Sequence, residues 1–130
     1  MKKVLFLLFI LTSCIGYSQY NIATETGNTI NTCSATLVDS GGFVGDYLVS
    51  ENYSVTFCST TPGQTIQVDF TVFDTESGFD FVNIYDGNSI AAPLLASYSG
   101  GTIPAAVLGT IANATNCLTI EFTSDGSVVG

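Results

Sequence analysis

Histidine, arginine and tryptophan are absent from this 130-residue chain, and its only cationic side chains, Lys2 and Lys3, stand beside the initiating methionine. Against them stand eleven Asp and Glu residues, for a formal net charge of -9. Without His, Ser-His-Asp and Cys-His nucleophile systems and imidazole-bound zinc are excluded. Without Lys or Arg beyond position 3, attachment to phosphate backbones or anionic lipid through charge is excluded as well, so no nucleic-acid partner is expected. If processing removes the amino terminus, no ion pair can form between the remaining side chains. What is left is oxygen chemistry: carboxylates, hydroxyls and carbonyls, the ligands of hard cations such as calcium.

The amino terminus accounts for both lysines. Met1 to Lys3 form a basic segment, and Val4 to Leu11 (VLFLLFIL) form an apolar core followed by small and polar residues, the pattern of a secretory signal over residues 1–19. That core is far shorter than the roughly 20 residues a helix needs to span a bilayer, and no second long apolar run follows. The chain is therefore expected to be secreted or held at the cell surface. Leu11-Thr12-Ser13-Cys14 resembles a bacterial lipobox, which would make Cys14 the lipidated first residue of an outer-membrane lipoprotein and the only route to a membrane. Alternatively a soluble form begins after Gly16 or Gln19, with Cys14 a small residue of the signal. Either ending leaves Cys33, Cys58 and Cys117, an odd number in an oxidising compartment.

Residues 20–32 (YNIATETGNTINT) are polar and without clear periodicity, and read as a leader or linker. From Cys33 onward, short runs of β-branched and aromatic residues alternate with Gly, Pro, Asp, Asn and Ser, the vocabulary of strands and turns. In Thr65 to Phe73 the apolar residues Ile66, Val68, Phe70 and Val72 recur with period two, and in Leu118 to Thr123 Leu118, Ile120 and Phe122 point one way and Glu121 the other. Ala35 to Val38, Tyr53 to Phe57 and Asp80 to Tyr85 read as further strands, with a turn at Asp86-Gly87-Asn88. No segment carries a helical period. About seven short strands argue for one all-β sandwich.

Five segments in order carry a family resemblance: Cys33 to Gly42 with Tyr47 and Cys58; Pro62-Gly63 leading into the Ile66 strand; Phe70 to Glu76; Asp80 to Gly87; and Tyr98-Ser-Gly100, Pro104 and Leu118 to Asp125. Together they resemble the CUB domain. The resemblance covers Cys33 to Gly130 and implies a jelly-roll-like sandwich of two antiparallel sheets, a disulfide between Cys33 and Cys58, and a non-catalytic role. A bridge closing a loop of that length would contribute about 3 to 4 kcal/mol. Two departures stand out. The second disulfide of animal members is missing at both of its ends, where Ser77-Gly78-Phe79 and Ser99 now stand. The family also has a last strand after the Ser124-Asp125 motif, so residues 33–130 are expected to be an incomplete domain whose missing strand holds the partner of Cys117; a free, buried Cys117 is the alternative.

The resemblance further implies a calcium site made by Glu76, Asp80 and Asp125, with Tyr47 nearby and Ser127 as a neighbouring ligand. Three carboxylates gathered without Lys or Arg repel one another unless a divalent cation neutralises them. Only three residues separate Glu76 from Asp80, so Asp74 is the substitute if Glu76 is misplaced. The implied function is an extracellular binding module whose calcium-organised loop face receives an exposed basic residue of a protein partner. The alternatives are a carbohydrate-binding module with Tyr47, Tyr53 and Tyr98 as a stacking surface, and an accessory domain of a larger secreted protease or hydrolase. Asn52-Tyr-Ser54 and Asn113-Ala-Thr115 have the form of glycosylation sequons, but in a bacterial chain Asn in a turn is the preferred reading.

Overall fold

Apolar residues spaced two apart and broken by Gly, Asp, Asn and Ser favour short strands over helices. The computed structural model describes residues 18–129 and contains no helix there. Its strands are β1 (Ser18–Asn21), β2 (Thr29–Thr32), β3 (Ala35–Val38), β4 (Asn52–Ser59), β5 (Gln67–Val68), β6 (Phe81–Tyr85), β7 (Leu94–Tyr98), β8 (Val107–Leu108) and β9 (Cys117–Thr123). One layer is a five-stranded sheet in the order β2-β4-β9-β6-β7; the other consists of two separate pairs, β1-β3 and β5-β8. The ladders joining β4, β9, β6 and β7 are antiparallel, whereas β1 runs parallel to β3 and β2 parallel to β4. The all-β sandwich implied by the sequence is thus present, with parallel ladders added by its first two strands.

The core follows from alternation. Tyr53, Val55 and Phe57 of β4 and Leu118, Ile120 and Phe122 of β9 share the inner face, in a register that opposes Phe57 to Leu118 and Val55 to Ile120. The β1-β3 pair covers one half of that face, bringing Tyr20, Ala35 and Leu37 against Val55, Phe57 and Phe122. The β5-β8 pair covers the other half, with Val107 and Val68 against Ile84 and Leu118. On the outer face of β9 and its neighbours, Thr56 and Thr119 hydrogen-bond each other at 2.8 Å, and Glu121 accepts from the Tyr85 hydroxyl at 2.7 Å and from the Asn83 amide at 3.0 Å.

Four expectations are corrected. The polar segment 20–32 is not a leader: it contributes the end of β1 and all of β2, and places Ile22 and Ile30 in the core. Each of those strands has too few apolar residues to show a period, and its pairing with β3 or β4 is what makes it a strand. The run Thr65 to Phe73 is a strand only at Gln67–Val68; Ile66, Val68 and Phe70 do turn inward, but Val72 is 83% exposed. Cys58 is bonded to Cys117, not to Cys33. The β4-β9 register sets those two residues opposite each other with Cα atoms 4.0 Å apart, so neither a free Cys117 nor a partner supplied by a further strand is needed. Cys33 also takes part in a disulfide. Residues 1–17 of the expected signal, Cys14 among them, lie outside the described residues, whereas its last two residues, Ser18 and Gln19, begin β1.

Because the Cys58–Cys117 bridge closes a loop with a sequence separation of 59, replacing both residues with Ser should lower unfolding free energy by about 4 kcal/mol in chemical denaturation. Non-reducing peptide mapping should recover the two cysteines in one linked fragment, and a Cys33–Cys58 fragment would contradict this register. The outer face makes a second prediction. The hydrogen bond to Glu121, then burial and the Glu121 charge, push the Tyr85 hydroxyl up to about 12. The stabilisation this represents is complete below the ordinary tyrosine value of 10.0 and is lost as pH rises through about 12. Spectrophotometric titration should show one late tyrosine that disappears in Tyr85→Phe and moves down in Glu121→Gln.

Candidate functional site

Three loops meet at the end of the sandwich where β4 begins and β9 stops. The first runs from β3 to Tyr47. Asp39 anchors it, its Oδ1 accepting the backbone N–H groups of Gly41 and Gly42 at 2.8 and 3.0 Å. Gly41 packs so closely on the returning chain that a Cβ there would lie 2.3 Å from the Asp46 carbonyl oxygen, so the turn requires glycine. The turn delivers Tyr47 into the core, edge-on to Phe122 with ring centroids 4.9 Å apart.

The second loop links Phe73 to β6. Phe79 and Asp80 both donate backbone hydrogen bonds to the Glu76 carbonyl, a single helical turn that Gly78 closes with a φ of 84°. Asp80 then enters the inward-facing series of Val82 and Ile84 and is 0% exposed. The third segment is the end of β9. Ser124 is tied to the chain before β4, donating its N–H to the Glu51 carbonyl at 3.0 Å and its hydroxyl to Leu48 at 2.7 Å, and Asp125 follows directly.

A buried carboxylate needs donors, and Asp80 draws them from both other loops. The Tyr47 hydroxyl donates to Asp80 Oδ2 at 2.5 Å, and the Asp125 backbone N–H donates to Asp80 Oδ1 at 2.8 Å. The same Tyr47 hydroxyl accepts the Glu76 N–H at 3.0 Å. Glu76, Asp80 and Asp125 thereby each present a carboxylate oxygen, all within 4.8 Å of one another. Among the described residues no cation offsets this charge. Burial, followed by the negative charges of Asp125 and Asp80, raises the Glu76 carboxyl above its ordinary value. Glu76 Oε2 is buried and has no hydrogen-bond partner.

The donor set fits calcium: oxygen ligands only, brought together from separate segments, with one of the three residues carrying an orphaned carboxylate oxygen. It lacks the nitrogen or sulfur that structural zinc favours. Of the residues singled out in the sequence, Glu76, Asp80 and Asp125 are brought together, and the substitute Asp74 is outside the cluster. Tyr47 and Ser127 hold the acids in place: Tyr47 as described, and Ser127 by donating its N–H and hydroxyl to Asp125 Oδ1 at 2.8 and 3.3 Å. The three tyrosines suggested as a sugar platform do not share a surface. Tyr47 is in the core, Tyr53 packs with Val55 and Phe122, and Tyr98 packs on Phe70 and Phe73 in the other half. The Asn113 side chain is occupied as a turn residue by Asp86, Thr115 and Cys117.

Ser99 escaped the sequence reading as a functional residue. Its hydroxyl accepts the Gly78 N–H at 2.7 Å and donates to the Glu76 carbonyl at 3.0 Å, clamping the acidic loop. Beside it, the Thr75 hydroxyl accepts the Gly100 N–H and reaches the Asp80 carbonyl. The signal was the paired loss of cysteines: where the resemblance places a disulfide, this chain has a hydrogen-bonded serine.

The sequence matches the CUB domain over residues 27–130. The chain belongs to the CUB domain family. It is 31% identical over 107 residues to rat cubilin, covering 79% of this chain and 3% of cubilin, and 32% identical over 103 residues to rat neuropilin-2, covering 76% of this chain and 11% of that protein. It is 40% identical over 72 residues to human multiple epidermal growth factor-like domains protein 8, covering 52% of this chain and 2% of the relative. The chain thus spans only a small part of these relatives. Its fold is similar to the CUB1-EGF-CUB2 domain of human MASP-1/3, with a TM-score of 0.62 at 18% identity, covering 81% of this chain and 38% of that one. It is similar also to the MASP-1 CUB2 domain solved bound to Ca2+, with a TM-score of 0.59 at 17% identity, covering 81% and 91%. CUB domains are in general non-catalytic modules of extracellular proteins that bind other proteins.

Tyr47→Phe removes a donor from a buried carboxylate and an acceptor from the Glu76 N–H, and should cost about 2 to 3 kcal/mol in chemical denaturation. Ser99→Ala should cost less, about 1 kcal/mol, and act mainly by raising amide hydrogen exchange at residues 76–79.

Proposed function

We propose that this CUB domain is a non-catalytic extracellular binding module whose Glu76, Asp80 and Asp125 take up calcium, and whose loop face binds a protein partner through an exposed Lys or Arg. The observation that carries this reading is the gathering of three carboxylate oxygens within 4.8 Å, one of them from a residue with a buried, unpartnered oxygen. Calcium would remove the mutual repulsion and join the loops that carry Glu76, Asp80 and Asp125. The calcium-bound MASP-1 CUB2 domain, similar in fold, supports the reading. Export directed by the amino-terminal segment would supply the matching compartment, where calcium is abundant. The acidic face then attracts a basic side chain, and its long-range field speeds the encounter at low salt.

Isothermal titration of the calcium-stripped protein with calcium should show saturable binding to one site. A hundredfold excess of calcium over its dissociation constant should add about 2.7 kcal/mol of stability. Asp80→Asn and Asp125→Ala should abolish the heat. Absence of heat and of any shift in melting temperature in the wild-type protein would sink the proposal. For the partner, Asp125→Ala and chelation should reduce binding together, and a partner unaffected by both would exclude this face.

A further inference from the structure

The outer face of the five-stranded sheet carries a cavity of about 210 Å³, lined by residues that all fall between Gly27 and Thr119. Its floor is the ladder between β4 and β9, with Ser54 and Thr56 on one strand and Thr119 on the other. Two loops form the walls. The turn before β2 leads into Asn28 and Thr29, and the loop after β6 presents Asn88, Ser89 and Ile90. Both loops are fastened to the sheet. The Gly27 N–H donates to the Ser54 carbonyl at 2.7 Å, the Thr56 N–H to the Asn28 carbonyl at 3.0 Å, and the Thr119 hydroxyl to the Gly87 carbonyl at 2.9 Å. Asp86, bonded to Thr110 and Asn113, anchors the second loop at its start.

We infer that this cavity is a binding site for one neutral sugar ring, the terminal unit of a glycan. The lining decides the chemical class. Among the described residues no carboxylate lines it, although the chain is acidic, and no Lys or Arg is present to hold an anion. Donors and acceptors are mixed instead. Thr119 donates to Gly87, so the 2.8 Å bond between the two threonine hydroxyls takes its proton from Thr56 and leaves Thr56 Oγ1 as an acceptor. The Asn28 amide donates to Glu25 and keeps its carbonyl oxygen, whereas the Ser89 oxygen accepts the Ala91 N–H and keeps its hydroxyl proton. The Asn88 amide and the Ser54 hydroxyl supply both kinds. A metal ion needs acceptors and a phosphate or carboxylate needs donors; ligand hydroxyls, which donate and accept, match a mixed set. Ile90, 52% exposed, gives the C–H face of a sugar ring an apolar surface to lie on. The size limits the ligand to one ring, since pockets for drug-sized molecules run from roughly 300 to 1,000 Å³. Asn28, Thr29, Asn88 and Ser89 are exposed, so the mouth is open and the rest of a glycan can leave through it. The site lies on the opposite face of the sheet from the inward-packed Tyr47 and Tyr53, and it shares no residue with the Glu76 cluster.

The test uses the full chain and a panel of methyl glycosides of neutral hexoses, followed by chemical-shift perturbation and saturation-transfer NMR. One ring offers about a dozen heavy atoms, so saturable binding is expected in roughly the millimolar range. The uronic acid counterpart of the bound hexoside should bind roughly tenfold more weakly, because the acidic chain repels it. Perturbed amides should include residues 28, 29, 54 and 88–90. Asn88→Ala, at an exposed loop position, should weaken binding several-fold with unchanged circular dichroism, and Ser54→Phe, which fills the cavity, should abolish it. Chelation of calcium should leave the affinity unchanged, which keeps this outcome independent of the proposed metal site. The inference is overturned if no glycoside saturates, if the uronic acid binds equally, or if Asn88→Ala binds as the wild type does. It falls equally if chelation abolishes binding, since the sugar would then sit at the acidic loops.

Discussion

Every acid in the described structure must find a neutral donor, because no cationic side chain is within reach. Most do. Asp39 uses the N–H groups of its own turn, and Asp86 takes the amide and hydroxyl of Thr110 and the Asn113 side chain, which together outweigh burial and hold its carboxyl below the ordinary value. Glu121 takes Tyr85 and Asn83, Asp69 takes Gln67, Glu25 takes Asn28, and Asp80 takes Tyr47 and the Asp125 N–H. Two carboxylates are left with buried, unpartnered oxygens: Glu76 and Glu51. Neutral donors satisfy a charge without cancelling it, so where three acids converge the field remains. That is why the Glu76 cluster differs in kind from the other acids and why a divalent cation is its natural complement. Glu51 is 6% exposed with both carboxylate oxygens unpartnered, and its backbone is bonded to Ser124.

The cluster also shows how a small sandwich holds long loops without ion pairs. Tyr47 is anchored twice, its ring by Phe122 and its hydroxyl by Asp80 and Glu76, so the hydrophobic core and the acidic site share one side chain. A change in the core at Phe122 is therefore felt at the carboxylates. Ser99 and Thr75 perform the corresponding task from the β7 side.

How much of this could be read from residues alone depended on how local the determining physics was. The faces of β9 were legible, since Leu118, Ile120 and Phe122 alternate with residues that meet the outer face. The carboxylates that converge were legible through ordered family motifs, not spacing, because Tyr47, Glu76 and Asp125 are brought together by tertiary structure. β1 and β2 were not legible: Ser18–Asn21 and Thr29–Thr32 become strands through parallel pairing with residues far along the chain. In Thr65 to Phe73 the period held through Phe70 and broke at Val72, and the ladder was short, since β8 pairs with only two of its residues. The disulfide was beyond reach for the same reason. Three cysteines are equivalent in sequence, and only the β4-β9 register selects Cys58 and Cys117.

That register has a further consequence. The covalent bridge stands at the Cys58 and Cys117 end of the β4-β9 ladder, and the acids stand at its opposite end, next to the Asn52 and Thr123 pair. Unzipping from the first end is blocked by a bond that only a reductant breaks. The other end is kept shut by hydrogen bonds from Ser50, Glu51 and Ser124, against the push of like charges. The ladder is thus hinged at one end and latched at the other, and the proposed calcium site lies on the latch.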